Sequence, residues 1–202
     1  LDPVRFIGNR SSGKQGVALA TAAAARGADV TLIAANIEVP LPSGVRCLPV
    51  GTTLELQSAV TTEAATADLV IMAAAVADYR PAETAQSKIK KRSDSSTLEL
   101  RLEENPDILR GLSNDRPREQ IVVGFAAETE PDDAALIELG RAKISRKGCD
   151  YLVLNRVGWT EGFATDSNTV IVINNGGDRV GEASGSKLSV AHRILDFVFA
   201  AR

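Results

Sequence analysis

The sequence contains one histidine, His192, and two cysteines, Cys47 and Cys149, in 202 residues. A zinc site needs clustered ligands and a disulfide framework needs several cysteines, so neither organises this chain. The two cysteines read as reduced thiols of a cytoplasmic protein. His192 lies in SVAHRILDFVFAAR, where apolar residues recur at helical spacing, and it reads as a surface or packing residue. A mechanism built on a histidine base therefore has little to stand on. No apolar run reaches the roughly 18 residues of a membrane helix. The formal net charge is −3, so no overall basic field points to nucleic acid or to an anionic membrane. The chain opens on Leu1-Asp2-Pro3 without a methionine or a signal-peptide pattern, and is expected to be a piece of a longer protein.

What is present is a βα rhythm. Gly13 to Arg26 reads as a helix ended by Gly27, followed by the strands DVTLIAA and VRCLPV and by the helix TLELQSAVTTEAATA. DLVIMAAA, QIVVGFAAE and DYLVLN are continuous apolar runs of the kind buried in a parallel sheet, with DDAALIELGRAKISRKG as a helix between the last two. TVIVINNGGDRVGE reads as a closing antiparallel hairpin. The expectation is an α/β, Rossmann-like three-layer sandwich, one domain over residues 1–202, with a mostly parallel sheet and helices on both faces. Residues 79–97 are polar without an apolar period and read as a flap or an exposed loop. In open parallel sheets ligands bind beyond the carboxyl ends of the strands, which nominates AAAVADYRP, FAAET and NRVG.

GNRSSGKQ, from Gly8, matches the phosphate loop G-x-x-x-x-G-K-[ST] except at Gln15, where the magnesium-binding hydroxyl should stand. A second acidic strand end is also missing, since the Leu69 run closes on MAAA. A nicotinamide-dependent reductase would use the same glycine turn. Its tyrosine and lysine four apart are absent, because Glu83 follows Tyr79 and Asn155 follows Tyr151 at that spacing. There remains a polar turn into a helix N-terminus, carrying Asn9, Arg10, Ser11, Ser12 and Lys14. It reads either as an anion site or as serine capping with Gly13 kept for packing.

LDPVRFIGNRSSGKQG, AAAVADYRP, KIKK, NPDIL, GFAAET, RAKISRKGCDYLVLN and FATDSN follow one another in that order. Together they resemble the phosphopantothenoylcysteine synthetase domain of the bacterial bifunctional coenzyme A biosynthesis proteins, over essentially the whole chain. The resemblance implies a ligase that joins 4'-phosphopantothenate to L-cysteine. CTP, with Mg²⁺, activates the acid as an acyl-cytidylate with loss of pyrophosphate, and the cysteine amine then displaces CMP. It implies a homodimer of this domain within a larger oligomer, and FMN only in a decarboxylase domain that precedes this one in the family. The family's first strand and glycine-rich turn, which precede LDPVR, are not in this sequence.

The resemblance also assigns residues. Asn9 holds the acyl-cytidylate, and an amide suits that task because it bonds an oxygen without adding charge. Arg5 supports it or reaches across a dimer interface. Ser11, Ser12 and Gly13 form the substrate or anion loop. Lys143 and Lys147, four apart on one helix, bind the triphosphate; without the resemblance they read as cations complementing a helix C-terminus. Lys88, which opens KIKK, is a nucleotide-binding residue on a closing flap that serves the second half-reaction; without the resemblance the run reads as a solvated face, and Lys90 and Lys91 stay surface charges. Asp78 stands beside the nucleotide, and the backbone of Met72, Ala73 and Ala74 lines the same pocket. Asn105, Pro106, Asp107 and Ile108 surround the cytosine; the turn also reads as a plain helix start with Asn105 as N-cap and Pro106 as first helical residue. Phe125 packs on the base, or belongs to the core. No metal ligand is expected from protein side chains, because Mg²⁺ travels with the phosphates. The competing readings are the reductase and a nucleotide-binding domain without catalysis.

Overall fold

The computed structural model describes residues 1–37, 39–91, 96–117, 119–157 and 166–200. The elements follow in the order α1 (Lys14–Ala24), β1 (Thr31–Ala35), β2 (Arg46–Val50), α2 (Thr53–Ala64), β3 (Leu69–Met72), β4 (Tyr79–Pro81) and β5 (Leu102–Glu104). Then come α3 (Ile108–Asp115), β6 (Ile121–Glu128), α4 (Asp133–Lys147), β7 (Tyr151–Arg156), β8 (Ser167–Asn174), β9 (Arg179–Ser186) and α5 (Lys187–Phe199).

The main sheet has five strands in the order β3-β6-β7-β8-β9. β3, β6 and β7 run parallel, β8 is antiparallel to β7, and β8 and β9 form the antiparallel hairpin that the glycine turn in the sequence predicts. Side chains alternate across it. Val70, Val122, Leu152, Leu154, Ile171 and Ile173 pack with Leu56 and Val60 of α2, Leu109 and Leu112 of α3, and Leu136 and Ile144 of α4. Val123, Val153, Val170 and Val172 face Leu19 of α1 and Val190, Ile194 and Val198 of α5. Two covered faces explain why these strands read as unbroken apolar runs.

Three features depart from the sequence expectation. β1 and β2 form a separate parallel pair. Both sheets still share the core: Ile33 and Val50 join the α2 side of it, and α1 packs on β1 while Leu69 and Ile71 of β3 join the same cluster as Leu19 and Ala22 of α1. The expected flap starts as a strand, because β4 pairs antiparallel with β5 through Tyr79↔Glu104 and Pro81↔Leu102. These strands are too short to carry a readable apolar period. Finally, α1 has Gly13 itself as its N-cap and no side-chain cap bond there, which differs from the serine cap that is one of the two readings of this turn. α1 stops at Ala24, with Gly27 three residues on at φ +85°.

Gly140 sits on the buried side of α4, where an added Cβ would lie 2.7 Å from Leu154 Cδ1 and 3.0 Å from Ile173 Cδ1. Both neighbours are buried in the core and cannot swing away. Overpacking costs roughly 1–3 kcal/mol, against a helix-propensity gain of about 1 kcal/mol. Gly140→Ala is therefore expected to lower the urea midpoint. Gly111→Ala in α3, where nothing lies within 4 Å, should raise stability by about 0.5–1 kcal/mol. A midpoint unchanged or raised in Gly140→Ala would contradict this packing.

Candidate active site

The carboxyl ends of β3, β6 and β7 open on a cleft of about 100 Å³. Ser11 to Gln15, leading into α1, form one wall, and Ala73, Ala74 and Ala75 after β3 form another. Phe125, Ala126 and Ala127 of β6, Asn155 of β7 and Lys187 of α5 complete it. Small side chains at the strand ends leave the room.

Gly13 is required twice over. Its φ is +77°, which an L side chain resists, and an added Cβ would lie 2.5 Å from Ile37 Cγ2. With no side chain at the N-cap, the first turn of α1 stands at the cleft with its N-terminal backbone, a feature suited to an anion. Lys14 Nζ donates to Asp166 Oδ1 at 2.6 Å. Gln15, the residue that breaks the phosphate-loop pattern, is a stitch instead. Its Nε2 donates to the Lys187 carbonyl at 3.3 Å, and its Oε1 accepts from Asn168 Nδ2 at 3.2 Å. Residues 163–165 of the FATDSN motif lie outside the described residues; Asp166 and Asn168 supply the contacts just given.

Lys187 and Asn155 add polar groups that the sequence analysis gave no site role, although the nominated strand end NRVG begins at Asn155. Lys187 is buried, 7% exposed. Burial first, and then the nearby Lys14 charge, push its pKa below the ordinary lysine value, with Asp166 pulling the other way. Asn155 Oδ1 is buried and has no hydrogen-bond partner among the described residues. An unmet buried acceptor on a cleft wall is a place for a ligand donor. Asn155 falls in the strand end that the rule for parallel sheets nominated. Lys187 does not, since only the packing of α5 on α1 brings it there.

The second group of expected residues lies around the ends of α3 and α4. Lys143 Nζ donates to Glu128 Oε1 at 2.6 Å, and Lys147 Nζ to Asp107 Oδ2 at 2.7 Å. The two lysines thus share a face, and Glu128 directly follows the cleft residue Ala127 in β6. Asp107, not Asn105, is the N-cap of α3, accepting from Arg110 N at 3.2 Å. Burial raises the Asp107 pKa, but the Lys147 bond and the Arg110 N–H outweigh it, and the net shift is downward. Asn105 is buried for a different purpose. Its Nδ2 donates to Ala77 O at 2.8 Å, its backbone N to Asp78 O at 2.7 Å, and its Oδ1 accepts from Arg80. Pro106 therefore precedes the cap, outside the helix, and Ile108 is buried in the core. Asp78 is exposed. Met72 is buried on the α2 side of the sheet, while Ala73 and Ala74 line the cleft. Phe125 packs on the α1–α5 side of the core and also lines the cleft.

A third group stands on the N-terminal segment. Asn9 Nδ2 donates to Ala75 O at 2.7 Å, fastening that segment to the cleft wall. Arg5 reaches Asp2 and the Ile89 carbonyl, beside Lys88, and neither Arg5 nor Lys88 lines the cleft. Lys88, Lys90 and Lys91 are exposed. Among the described residues no three of His, Cys, Asp and Glu cluster as a metal site would require.

The lowered Lys187 pKa carries a stability consequence with a definite sign. Below its folded pKa the charged lysine is held in an environment that disfavours it, and the native state is penalised. The penalty fades as pH rises toward the unfolded value of about 10.4. Lys187→Met should therefore raise the thermal midpoint at pH 7, with the gap to the wild type closing by about pH 10.4. A midpoint that falls at pH 7 would show that the charge is net stabilising.

The chain is 46% identical over 205 residues to the coenzyme A biosynthesis bifunctional protein CoaBC of Mycobacterium tuberculosis (strain ATCC 25618 / H37Rv), covering 98% of this chain and 49% of that protein. With the CoaBC protein of Escherichia coli (strain K12) it shares 42% identity over 182 residues, 89% of this chain and 44% of the relative. It thus spans about half the length of the curated relatives it matches. A crystal structure of the C-terminal domain of a CoaBC protein superimposes with a TM-score of 0.77 at 31% identity, covering 99% of this chain and 89% of that one. The family described as DNA/pantothenate metabolism flavoprotein C-terminal domain matches residues 1–201, and the chain belongs to it.

Proposed function

We propose that this chain carries out the ligation step of coenzyme A biosynthesis, joining 4'-phosphopantothenate to L-cysteine through an acyl-cytidylate. The observation that carries the reading is the cleft itself. It sits at parallel strand ends, against an uncapped helix N-terminus, with Lys14 and the buried Lys187 on its walls. A carboxylate attacking an α-phosphate meets like charge, so the site must supply cations and fixed dipoles where charge develops.

In the first step a carboxylate oxygen of phosphopantothenate bonds to the α-phosphorus of CTP, the bond to the bridging oxygen breaks, and pyrophosphate leaves. Ser11, Ser12 and Gly13 hold phosphoryl oxygens through the start of α1, with Lys14 and Lys187 offsetting their charge. Lys143 and Lys147 receive the triphosphate, exchanging Glu128 and Asp107 for phosphate oxygens. Asp78, the turn from Asn105 to Ile108 and the Phe125 ring surround the ribose and cytosine, with the backbone from Met72 to Ala74 beneath. Mg²⁺ would arrive on the phosphates, keep most of its waters and screen their charge.

In the second step the cysteine amine attacks the acyl carbon, CMP leaves with the former carboxylate oxygen, and the amine loses a proton to solvent. Asn9 holds the acyl-cytidylate for that attack, and Lys88 comes to it from the flap. Arg5 supports this end of the site from its own chain or from a second copy, in a homodimer within a larger assembly. The exposed Val4, Phe6 and Ile7 beside it suit such a contact. FMN would belong to a decarboxylase half and has no task in these steps.

Asn9→Asp tests the reading. The aspartate cannot donate to Ala75 O and puts negative charge beside a phosphoryl group awaiting departure. With CTP and phosphopantothenate it should still release pyrophosphate but accumulate the acyl-cytidylate, detectable by mass spectrometry. Normal amide synthesis by this variant would remove Asn9 from the mechanism. Lys143→Ala should weaken CTP binding by roughly 10- to 100-fold, the range of one charge-assisted hydrogen bond, in a calorimetric titration. Unchanged affinity would return Lys143 to a structural pairing with Glu128.

A further inference from the structure

Asp2 has a wholly buried side chain although it lies outside the cleft, at the start of a tight turn that an Asp2–Arg5 bridge closes. Its Oδ1 accepts from the backbone N–H groups of Val4 and Arg5, each at 2.9 Å. Its Oδ2 accepts from the Arg5 guanidinium and, across 87 positions of sequence, from the Ile89 N–H at 3.0 Å. Arg5 Nη2 in turn donates to the Ile89 carbonyl at 2.8 Å. Both backbone groups of Ile89 are therefore held, one by the acid and one by the base of a single ion pair. A further bond, Ala85 N to Leu1 O at 3.0 Å, lays the first residues along the same stretch.

The Ile89 N–H belongs to the peptide bond that Lys88 shares, so holding it fixes the backbone from which the Lys88 side chain extends. The same segment continues to Asn9, which is fastened to Ala75 at the cleft. Residues 1–9 thus join the wall of the cleft to the residue beside Lys88. A carboxylate suits the anchoring position because it accepts on both oxygens and has no N–H to turn against the donors around it. The Arg5 guanidinium, the largest influence on it, holds the Asp2 carboxyl far below the usual carboxylate range, against the effect of burial. Asp2 is charged at every pH at which the enzyme would work.

We propose that Asp2 is a positioning residue: together with Arg5 it brackets Ile89 and so sets Lys88 at a fixed reach from the cleft. The role of Lys88 in it rests on the ligase reading above.

The test uses the natural protein with Asp2→Asn, Lys88→Ala and the double variant, following amide formation after cysteine is added to the activated acid. Asp2→Asn is nearly isosteric, yet it must turn an amino group toward N–H donors. A displacement of about 1 Å can cost up to about 100-fold in rate, so a loss of roughly 10- to 100-fold in kcat is expected, with the KM for CTP within about twofold. Because Asp2 acts through Lys88, the double variant should be no slower than Lys88→Ala alone. If the two losses multiply, Asp2 acts elsewhere and the proposal falls.

Hydrogen exchange at the Ile89 amide gives a readout without turnover. It should quicken at least tenfold in Asp2→Asn while amides of β6 and β7 keep their protection; an unchanged Ile89 rate overturns the bracket. Should Asp2→Asn fail to fold, Arg5→Lys keeps the charge but loses the planar fork that reaches Asp2 and Ile89 together. It is read by the same two assays against the same outcomes. If the wild type forms no amide, the ligase reading fails, and the exchange result still decides whether Asp2 holds Ile89.

Discussion

The strands β6, β7 and β8 are walled by helices on both faces, and a polar side chain on either face would lose its hydration without return. Everything else follows from that confinement. Polar chemistry can stand only at the strand ends, where the sheet stops and the connecting loops begin. The alanines at 73–75 and 126–127, the Asn155 amide and the turn into α1 all occupy that rim. The glycines at 124 and 140 serve the same confinement from within. An added Cβ at Gly124 would lie 2.6 Å from Leu109 Cδ2, so its absence lets α3 approach the sheet and carry the Asp107 turn with it.

The cations of the site are held in a way that leaves them available. Lys14, Lys143 and Lys147 each pair with a carboxylate, at Asp166, Glu128 and Asp107. All six side chains keep at least a fifth of their surface in water. Ion pairs so placed contribute only about 0–1 kcal/mol. A phosphate that took the carboxylate's place would give up little and meet a lysine already oriented. Lys187 differs, because burial disfavours its charge and a bound anion would relieve that penalty.

Much of this could be read from the chain, and the failures have identifiable causes. Apolar runs located β3, β6 and β7, and the rule for open parallel sheets pointed to their carboxyl ends, where the cleft lies. Helical spacing alone puts Lys143 and Lys147 on one face of α4, where they pair with Glu128 and Asp107; their tie to a nucleotide came from the resemblance. The α3 cap was misread because Asn105 and Asp107 are both good caps and Pro106 suggested the earlier one. Burial of the Asn105 amide against Ala77 decides the matter, and no local pattern reports that. The β4–β5 ribbon was invisible because strands this short carry no period, and the separation of β1–β2 from the main sheet is a matter of pairing, which composition does not encode. Lys187 and the Asp2–Ile89 contact depend on partners far away in sequence. Seven ordered motifs carried what single residues could not, since each taken alone had an ordinary structural reading.

The central claim is that the cleft activates a carboxylate with a nucleoside triphosphate. The most direct measurement is pyrophosphate release by the natural protein with CTP, Mg²⁺ and 4'-phosphopantothenate, before any cysteine is added, with ATP and acid-free controls alongside. The account predicts release that requires both CTP and the acid, followed by CMP and amide once cysteine is supplied. Binding of CTP without release of pyrophosphate would contradict it and leave a nucleotide-binding domain without catalysis.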